Sequence, residues 1–137
     1  MSLRFPIRSS LIWPLLLAAA VIAASSRPVV AGLGFNGGDK VAHFSVYGLL
    51  GTLLCRALRP GWRGAVLALV IASFFGATDE WHQSFVPGRD ADVMDWLADT
   101  SGAALAVGLY CFWRPYRELL ELGWGRRPTS PNGNARS

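Results

Sequence analysis

Charge is what this sequence has least of: 16% of its 137 residues are Asp, Glu, Lys or Arg, while 52% are hydrophobic. An ordinary soluble domain carries about 25% charged residues, so the shortage argues against one. A chain of this length holds a single domain. Cysteine is almost absent as well. Cys55 and Cys111 are far apart in sequence, with no Cys-x-x-Cys spacing around either, which excludes a compact thiolate metal motif. Both fall at the inner ends of apolar runs, on the reducing side, and read as free apolar fillers. The sequence contains no internal repeat and no nucleotide-binding glycine motif.

Long apolar runs are abundant. Ser9 to Ser26, Val41 to Leu58, Gly64 to Trp81 and Val93 to Trp113 each approach the ~20 residues that a helical span of a bilayer needs. A soluble all-α protein with buried core helices is the alternative, but four such runs leave too little polar sequence to cover them. The expected fold class is therefore all-α, an integral membrane bundle of four transmembrane helices. Residues 1–122 form its domain. Residues 123–137, rich in Gly, Pro, Arg, Ser and Asn, read as a disordered cytoplasmic tail.

The formal net charge of +4 invites a nucleic-acid reading, and the placement of the charges removes it. With the N-terminus inside, the inner segments hold Arg4, Arg8, Arg56, Arg59, Arg63, Arg114, Arg117, Arg126, Arg127 and Arg136, against Arg27, Lys40 and Arg89 outside. That asymmetry follows the positive-inside rule and puts both termini in the cytoplasm. The acids divide the other way. Asp39, Asp79, Glu80, Asp90, Asp92, Asp95 and Asp99 fall outside, leaving Glu118 and Glu121 inside. One alternative stays open for the first span. Arg4 and Arg8 ahead of "LIWPLLLAAAVIAA" also describe a signal peptide, with "VVAG" as its cleavage site, although a retained anchor is favoured.

The outer acids concentrate in "DEWHQSFVPGRDADVMDWLAD", Asp79 to Asp99. Helical spacing puts Ala68, Ala72, Gly76 and Glu80 on one face of the third span, and Asp95, Asp99, Gly102 and Ala106 on one face of the fourth, with Ala98 beside them. Small residues in such rows let membrane helices approach closely, so Glu80 and Asp99 are expected to point inward above packing seams. His43 and Tyr47 continue the face of Lys40. Three helix ends thus deliver polar groups to one outer pocket. Several of these groups have plain explanations. Asp39 and Asp92 suit helix N-termini, and Asp95 extends the same acidic first turn. Lys40 can snorkel, Pro87 and Gly88 make a turn, and Trp81, Phe85 and Trp96 suit an interfacial belt. Asp79 and Glu80 end a helix, where the dipole disfavours them, and call for Arg89, Lys40 or His43 as partners. Asp99 lies about two turns inside a span, where an unpaired charge costs roughly 3 kcal/mol or more.

"DKVAHFSVYGLLG" (Asp39 to Gly51), "DEWHQSFVPGR" (Asp79 to Arg89) and "DVMDWLADTSGAALA" (Asp92 to Ala106) together resemble the VanZ-like family of small bacterial membrane proteins. The resemblance covers a motif core of residues 39–106. It implies a polar set of Asp39, Lys40, His43, Glu80, Gln83, Arg89, Asp95 and Asp99 ahead of Gly102, with Asp99 where the family commonly has asparagine. It also implies a bacterial cytoplasmic membrane location. The founding member is associated with low-level teicoplanin resistance.

Three functions compete on these residues. In the first, Lys40 and Arg89 hold the phosphate or carboxylate of a lipid or envelope-precursor head group, with Gln83 and Tyr47 orienting it. In the second, the protein is an enzyme on a lipid-linked substrate, with Glu80 as general base, His43 as proton shuttle and Arg89 stabilising negative charge. The third is an ion-pair network with a structural role only. A metal version would recruit His43, Glu80, His82 and Asp95, but no His-Glu-x-x-His motif is present, and the expectation is no metal and no cofactor. Nucleic acid is not expected as a partner. A homo-oligomer stays open, because small-residue rows serve equally within a bundle or between chains.

Overall fold

The computed structural model describes residues 11–28, 38–58 and 61–121. Its order is α1 (Ile12–Ser25), α2 (Gly38–Ala57), α3 (Trp62–Gln83), α4 (Val93–Phe112) and α5 (Arg114–Glu121), with no strand among the described residues. The first four coincide with the four apolar runs to within a few residues at each end. At ~1.5 Å per residue, α3 is about 33 Å long, α2 and α4 about 30 Å, and α1 about 21 Å. Among the described residues α3 alone is both long and apolar enough to cross a membrane by itself, and α1 is a shorter apolar helix. The arginines at 4, 8, 59, 126, 127 and 136, the VVAG stretch and the tail 123–137 lie outside the described residues.

The fifth helix was not expected, and Pro115 explains it. A proline there has no N–H to donate and its ring would strike the carbonyl of Cys111, four residues back, so α4 cannot run on. Trp113 takes an extended conformation (φ −109°, ψ 98°), and the chain restarts as α5 with Pro115 in the first turn, where proline is tolerated. The Tyr110 hydroxyl then donates to Glu121 at 2.8 Å and ties α5 back to α4.

The core is the α2–α4 pair, held by glycine. A Cβ on Gly102 would collide with the carbonyl oxygen of Phe44, so the two backbones touch where no side chain intervenes. Gly48 sits against the Gly102 carbonyl, where a Cβ would come to 3.3 Å, and Gly51 faces Ala103 and Val107. α3 closes the third side with Ala68, Ala72 and Gly76, all buried, while Trp62, Val66, Leu67, Val70 and Phe74 point outward and are exposed. Small residues inside and large apolar residues outside reverse the usual soluble pattern. Trp96 departs from the belt expected for it: it is half-buried and its indole N–H donates to the Ser73 carbonyl at 3.1 Å.

The cysteines are not free fillers. Cys55 on α2 and Cys111 on α4 are joined as a disulfide across the pair, one fully buried and the other nearly so. The pairing, between residues 56 apart in sequence, runs against the expectation drawn from the inner, reducing side of the apolar runs, and close α2–α4 packing creates it.

Two measurements check this core. Gly102→Ala forces the α2 and α4 backbones apart and is expected to cost about 1–3 kcal/mol, read as a lower thermal midpoint in detergent. Gly108→Ala, on the same helix with open space around it, is expected to leave the midpoint unchanged or higher. For the cysteines, maleimide labelling of the unfolded, unreduced chain should add no label, and two labels per chain should appear after reduction.

Candidate functional site

The polar residues gather at the end of the bundle formed by the start of α2, the end of α3 and the start of α4. Asp79 and Glu80 are neighbours on α3 and so point about 100° apart. This splits the site in two. Glu80 turns toward α2 and α4, whereas Asp79, with Gln83 one turn on, turns toward α1.

The first cluster contains Lys40, His43, Glu80, Asp92, Asp95 and Asp99. The Lys40 ammonium donates to Asp92 at 2.7 Å and to Asp95 at 2.6 Å. Asp92 also caps α4, accepting the Met94 N–H at 2.8 Å, so its capping role and its ion pair coexist. One oxygen of Glu80 accepts the Asp92 backbone N–H at 2.9 Å. Its other oxygen, Oε1, lies 4.0 Å from His43 Nδ1 and has no hydrogen-bond partner among the described residues. His43 Nδ1 pairs with Asp99 Oδ1 at 2.9 Å. Asp99 is completely buried, and its second oxygen lies against Gly76, also without a hydrogen-bond partner. Four carboxylates thus face one ammonium and one imidazole.

The two charged groups outside the apolar runs are mutually tuned. Hydrogen bonds to Asp92 and Asp95 hold the Lys40 ammonium well above the ordinary lysine range. Asp92 is held below the usual carboxylate range, first by Lys40 and then by the Met94 N–H. Each shift favours the charged form, as expected for opposite charges in hydrogen-bond contact.

The second cluster contains Ser25, Asp79, Gln83 and Arg89. Asp79 accepts from Ser25 at 2.9 Å, from Gln83 at 3.1 Å and from the Tyr47 hydroxyl at 3.4 Å. Pro87 and a positive-φ Gly88 (φ 79°) form the turn anticipated for them, closed by the Arg89 N–H on the Val86 carbonyl at 3.1 Å. The turn sends the guanidinium back to Gln83 Oε1 at 3.1 Å and to the Arg27 carbonyl at 3.2 Å. Ser26 meets His82 at 3.0 Å. The end of α1 is thus fastened to α3 and its following loop by several hydrogen bonds, which a chain cleaved after residue 32 would lose. Tyr47 links the clusters, with its ring stacked on His43 and its hydroxyl on Asp79.

The expected set is therefore brought together with three corrections. Asp39 is exposed and, among the described residues, accepts the Lys40 backbone N–H, as a first-turn aspartate does. Gln83 and Arg89 belong to the α1-facing cluster, so Arg89 is not the partner of Glu80. Lys40 pairs with Asp92 and Asp95, and not with Asp79 or Glu80. His82 meets Ser26 and lies apart from His43. Ser25, Asp79 and Asp92 are participants outside the expected set. Asp79 and Asp92 were legible as charged helix ends, whereas nothing local marks Ser25 out from other serines.

Lys40→Met should lower the thermal midpoint by leaving Asp92 and Asp95 unneutralised, and adding Asp95→Asn should restore part of the loss. Asp92 has a lowered pKa in the fold, so its contribution is present above the ordinary 3.8 and is lost as pH falls through the lower folded value. Lys40 has a raised pKa, so its contribution is present below the ordinary 10.5 and is lost at still higher pH. The gap in midpoint between wild type and Lys40→Met should thus be level between those two values and shrink in acid, which a pH series of melting curves reads.

No curated protein and no solved structure matches the chain. The model of the VanZ/LLP1 family matches residues 6–114, which takes in α1 to α4 and both polar clusters. A match over so much of the sequence settles the lineage: this chain is a member of the VanZ/LLP1 family.

Proposed function

We propose that this VanZ/LLP1 chain is a multi-pass protein of the bacterial cytoplasmic membrane, with α1 to α4 as its spans, both termini cytoplasmic, and an outer-face polar site that binds the head group of a lipid or envelope precursor. The membrane reading is supported by α3, whose large apolar residues face outward and whose small residues face inward, and by the arginine asymmetry of the sequence. The observation that carries the binding reading is the convergence of charged side chains from three helices at one end of the bundle, with buried carboxylate oxygens of Asp79, Glu80 and Asp99 lacking hydrogen-bond partners among the described residues. Buried polar atoms are ordinarily satisfied, and unsatisfied ones cluster where something else binds. Arg89, half-buried in the α1-facing cluster, keeps guanidinium N–H groups beyond those given to Gln83 and the Arg27 carbonyl, and in this reading it is the cation that meets an anionic head group. A link to teicoplanin response belongs to this reading through the envelope precursor that the site would hold.

A second reading is favoured by the His43–Asp99 contact beside Glu80. A histidine fixed by a carboxylate, next to a carboxylate with an unengaged oxygen, is a disposition suited to proton transfer, with Glu80 as general base on a lipid-linked substrate.

Native mass spectrometry of the protein extracted gently from its own membrane separates these readings. The binding reading expects a lipid-like adduct on wild type that is lost in folded Arg89→Ala and kept in Glu80→Gln. An adduct that instead accumulates on Glu80→Gln favours the enzyme, and an adduct-free, folded wild type sinks the binding reading.

A further inference from the structure

Three residues of the first cluster come from three different helices: His43 from α2, Glu80 from α3 and Asp95 from α4. One nitrogen of the His43 ring, one oxygen of Glu80 and one of Asp95 all lie within 4.8 Å of one another. Such a spacing lets a single small ion contact all three with modest side-chain adjustment, since metal–ligand distances near 2.0–2.2 Å put ligand atoms roughly 3–4 Å apart. Glu80 supplies an independent sign of a missing partner. It is 5% exposed, and its Oε1 faces His43 at 4.0 Å with no hydrogen bond among the described residues.

Each of the three side chains is also held by a second group. His43 Nδ1 pairs with Asp99 Oδ1 at 2.9 Å, which leaves Nε2 to a metal; Glu80 Oε2 accepts the Asp92 N–H at 2.9 Å, and Asp95 Oδ1 accepts from the Lys40 ammonium at 2.6 Å. Outer partners that fix a histidine and orient carboxylates are the usual support of a metal site. The charge agrees, because four carboxylates with one ammonium and one imidazole leave a surplus of negative charge that a divalent cation would offset. The mixed donor set of one imidazole and two carboxylates suits Zn2+ or Mn2+ better than the all-oxygen surroundings of Ca2+ or the soft thiolates that select Cu(I).

We propose that His43, Glu80 and Asp95 form a binding site for one divalent transition-metal ion, of the Zn2+ or Mn2+ type, between α2, α3 and α4. This replaces the expectation of no metal, which rested on the lack of a compact ligand motif; here the ligands are distant in sequence and the helix packing assembles them. The proposal deepens the reading of this end of the bundle as a binding site and rests on it only in that sense.

The test is Zn2+ binding to the full chain in detergent after EDTA stripping and desalting, measured by equilibrium dialysis with elemental analysis and by the shift in thermal midpoint. Wild type should hold one Zn2+ per chain and melt higher with it. Glu80→Gln and Asp95→Asn should each weaken binding at least tenfold, and Asp99→Asn, acting through His43, about 10–100-fold. His82→Ala, away from the three ligands, should bind as wild type does. Folding of each variant is checked by helical circular dichroism. A folded wild type that binds no Zn2+ and no Mn2+ overturns the proposal whatever the variants do, and so does binding that persists unchanged in folded Asp95→Asn and Glu80→Gln. One Zn2+ per chain with no lipid adduct supports the metal and sinks the head-group reading. An adduct with no metal does the reverse.

Discussion

The contact on which the polar end of this protein depends is made by backbone. Gly102 of α4 sits under the Phe44 carbonyl of α2, and the absence of a single Cβ lets the helices touch there. His43 precedes Phe44, and Asp99 lies three residues before Gly102, so the approach brings imidazole and carboxylate to 2.9 Å. Any side chain at 102 would push the helices apart and lengthen that contact. Asp99, with no exposure at all, would then be a buried carboxyl group without its hydrogen-bond partner among the described residues, which is a costly state for a fold.

The same seam explains why the acids segregate. Adjacent residues on α3 look toward different neighbours, so Asp79 draws hydroxyl and amide donors from Ser25, Tyr47 and Gln83, while Glu80 faces a group rich in carboxylates. Neutral donors satisfy most of the first site. In the second, Lys40 is engaged at the exposed edge and His43 at the buried side, leaving Glu80 between them with a bare oxygen. A network built only for stability gains little from that arrangement, because buried ion pairs barely repay their desolvation and an unmatched carboxylate repays nothing. The surplus is the feature on which the proposed binding role rests.

Much of this was legible in the sequence, and the limits are physical. Apolar runs located four helices because burial and length leave strong local marks, and rows such as Ala68, Ala72, Gly76 and Glu80 gave the inward face correctly because helical periodicity is rigid. The chemistry of Asp92 as a cap was readable from its place ahead of α4. What could not be read was choice among partners. Arg89 had Glu80, Asp79 and Gln83 within reach in sequence, and the turn at Gly88 decided for Gln83 and the Arg27 carbonyl. Cys55 and Cys111 meet only because α2 and α4 pack so closely, a tertiary fact with no local signature. Pro115 did carry a local signal, and the break it imposes on α4 was the one readable boundary passed over.

Taken along its length, the α2–α4 pair is fastened three times: by Lys40 and His43 on α4 acids at one end, by interlocked glycines in the middle, and by the Cys55–Cys111 link at the other. Two rods pinned at both ends cannot scissor or slide, so they behave mechanically as one plank. α3 has no covalent link to the plank. Ser73 with Thr100 at 2.9 Å, the Trp96 indole, Glu80 on the Asp92 N–H at 2.9 Å, the Tyr47 hydroxyl on Asp79 at 3.4 Å and a strip of alanines hold it there. The cluster therefore has two walls. The plank presents Lys40, His43, Asp95 and Asp99; α3 brings Glu80, whose Oε1, like Asp99 Oδ2, has no hydrogen-bond partner among the described residues.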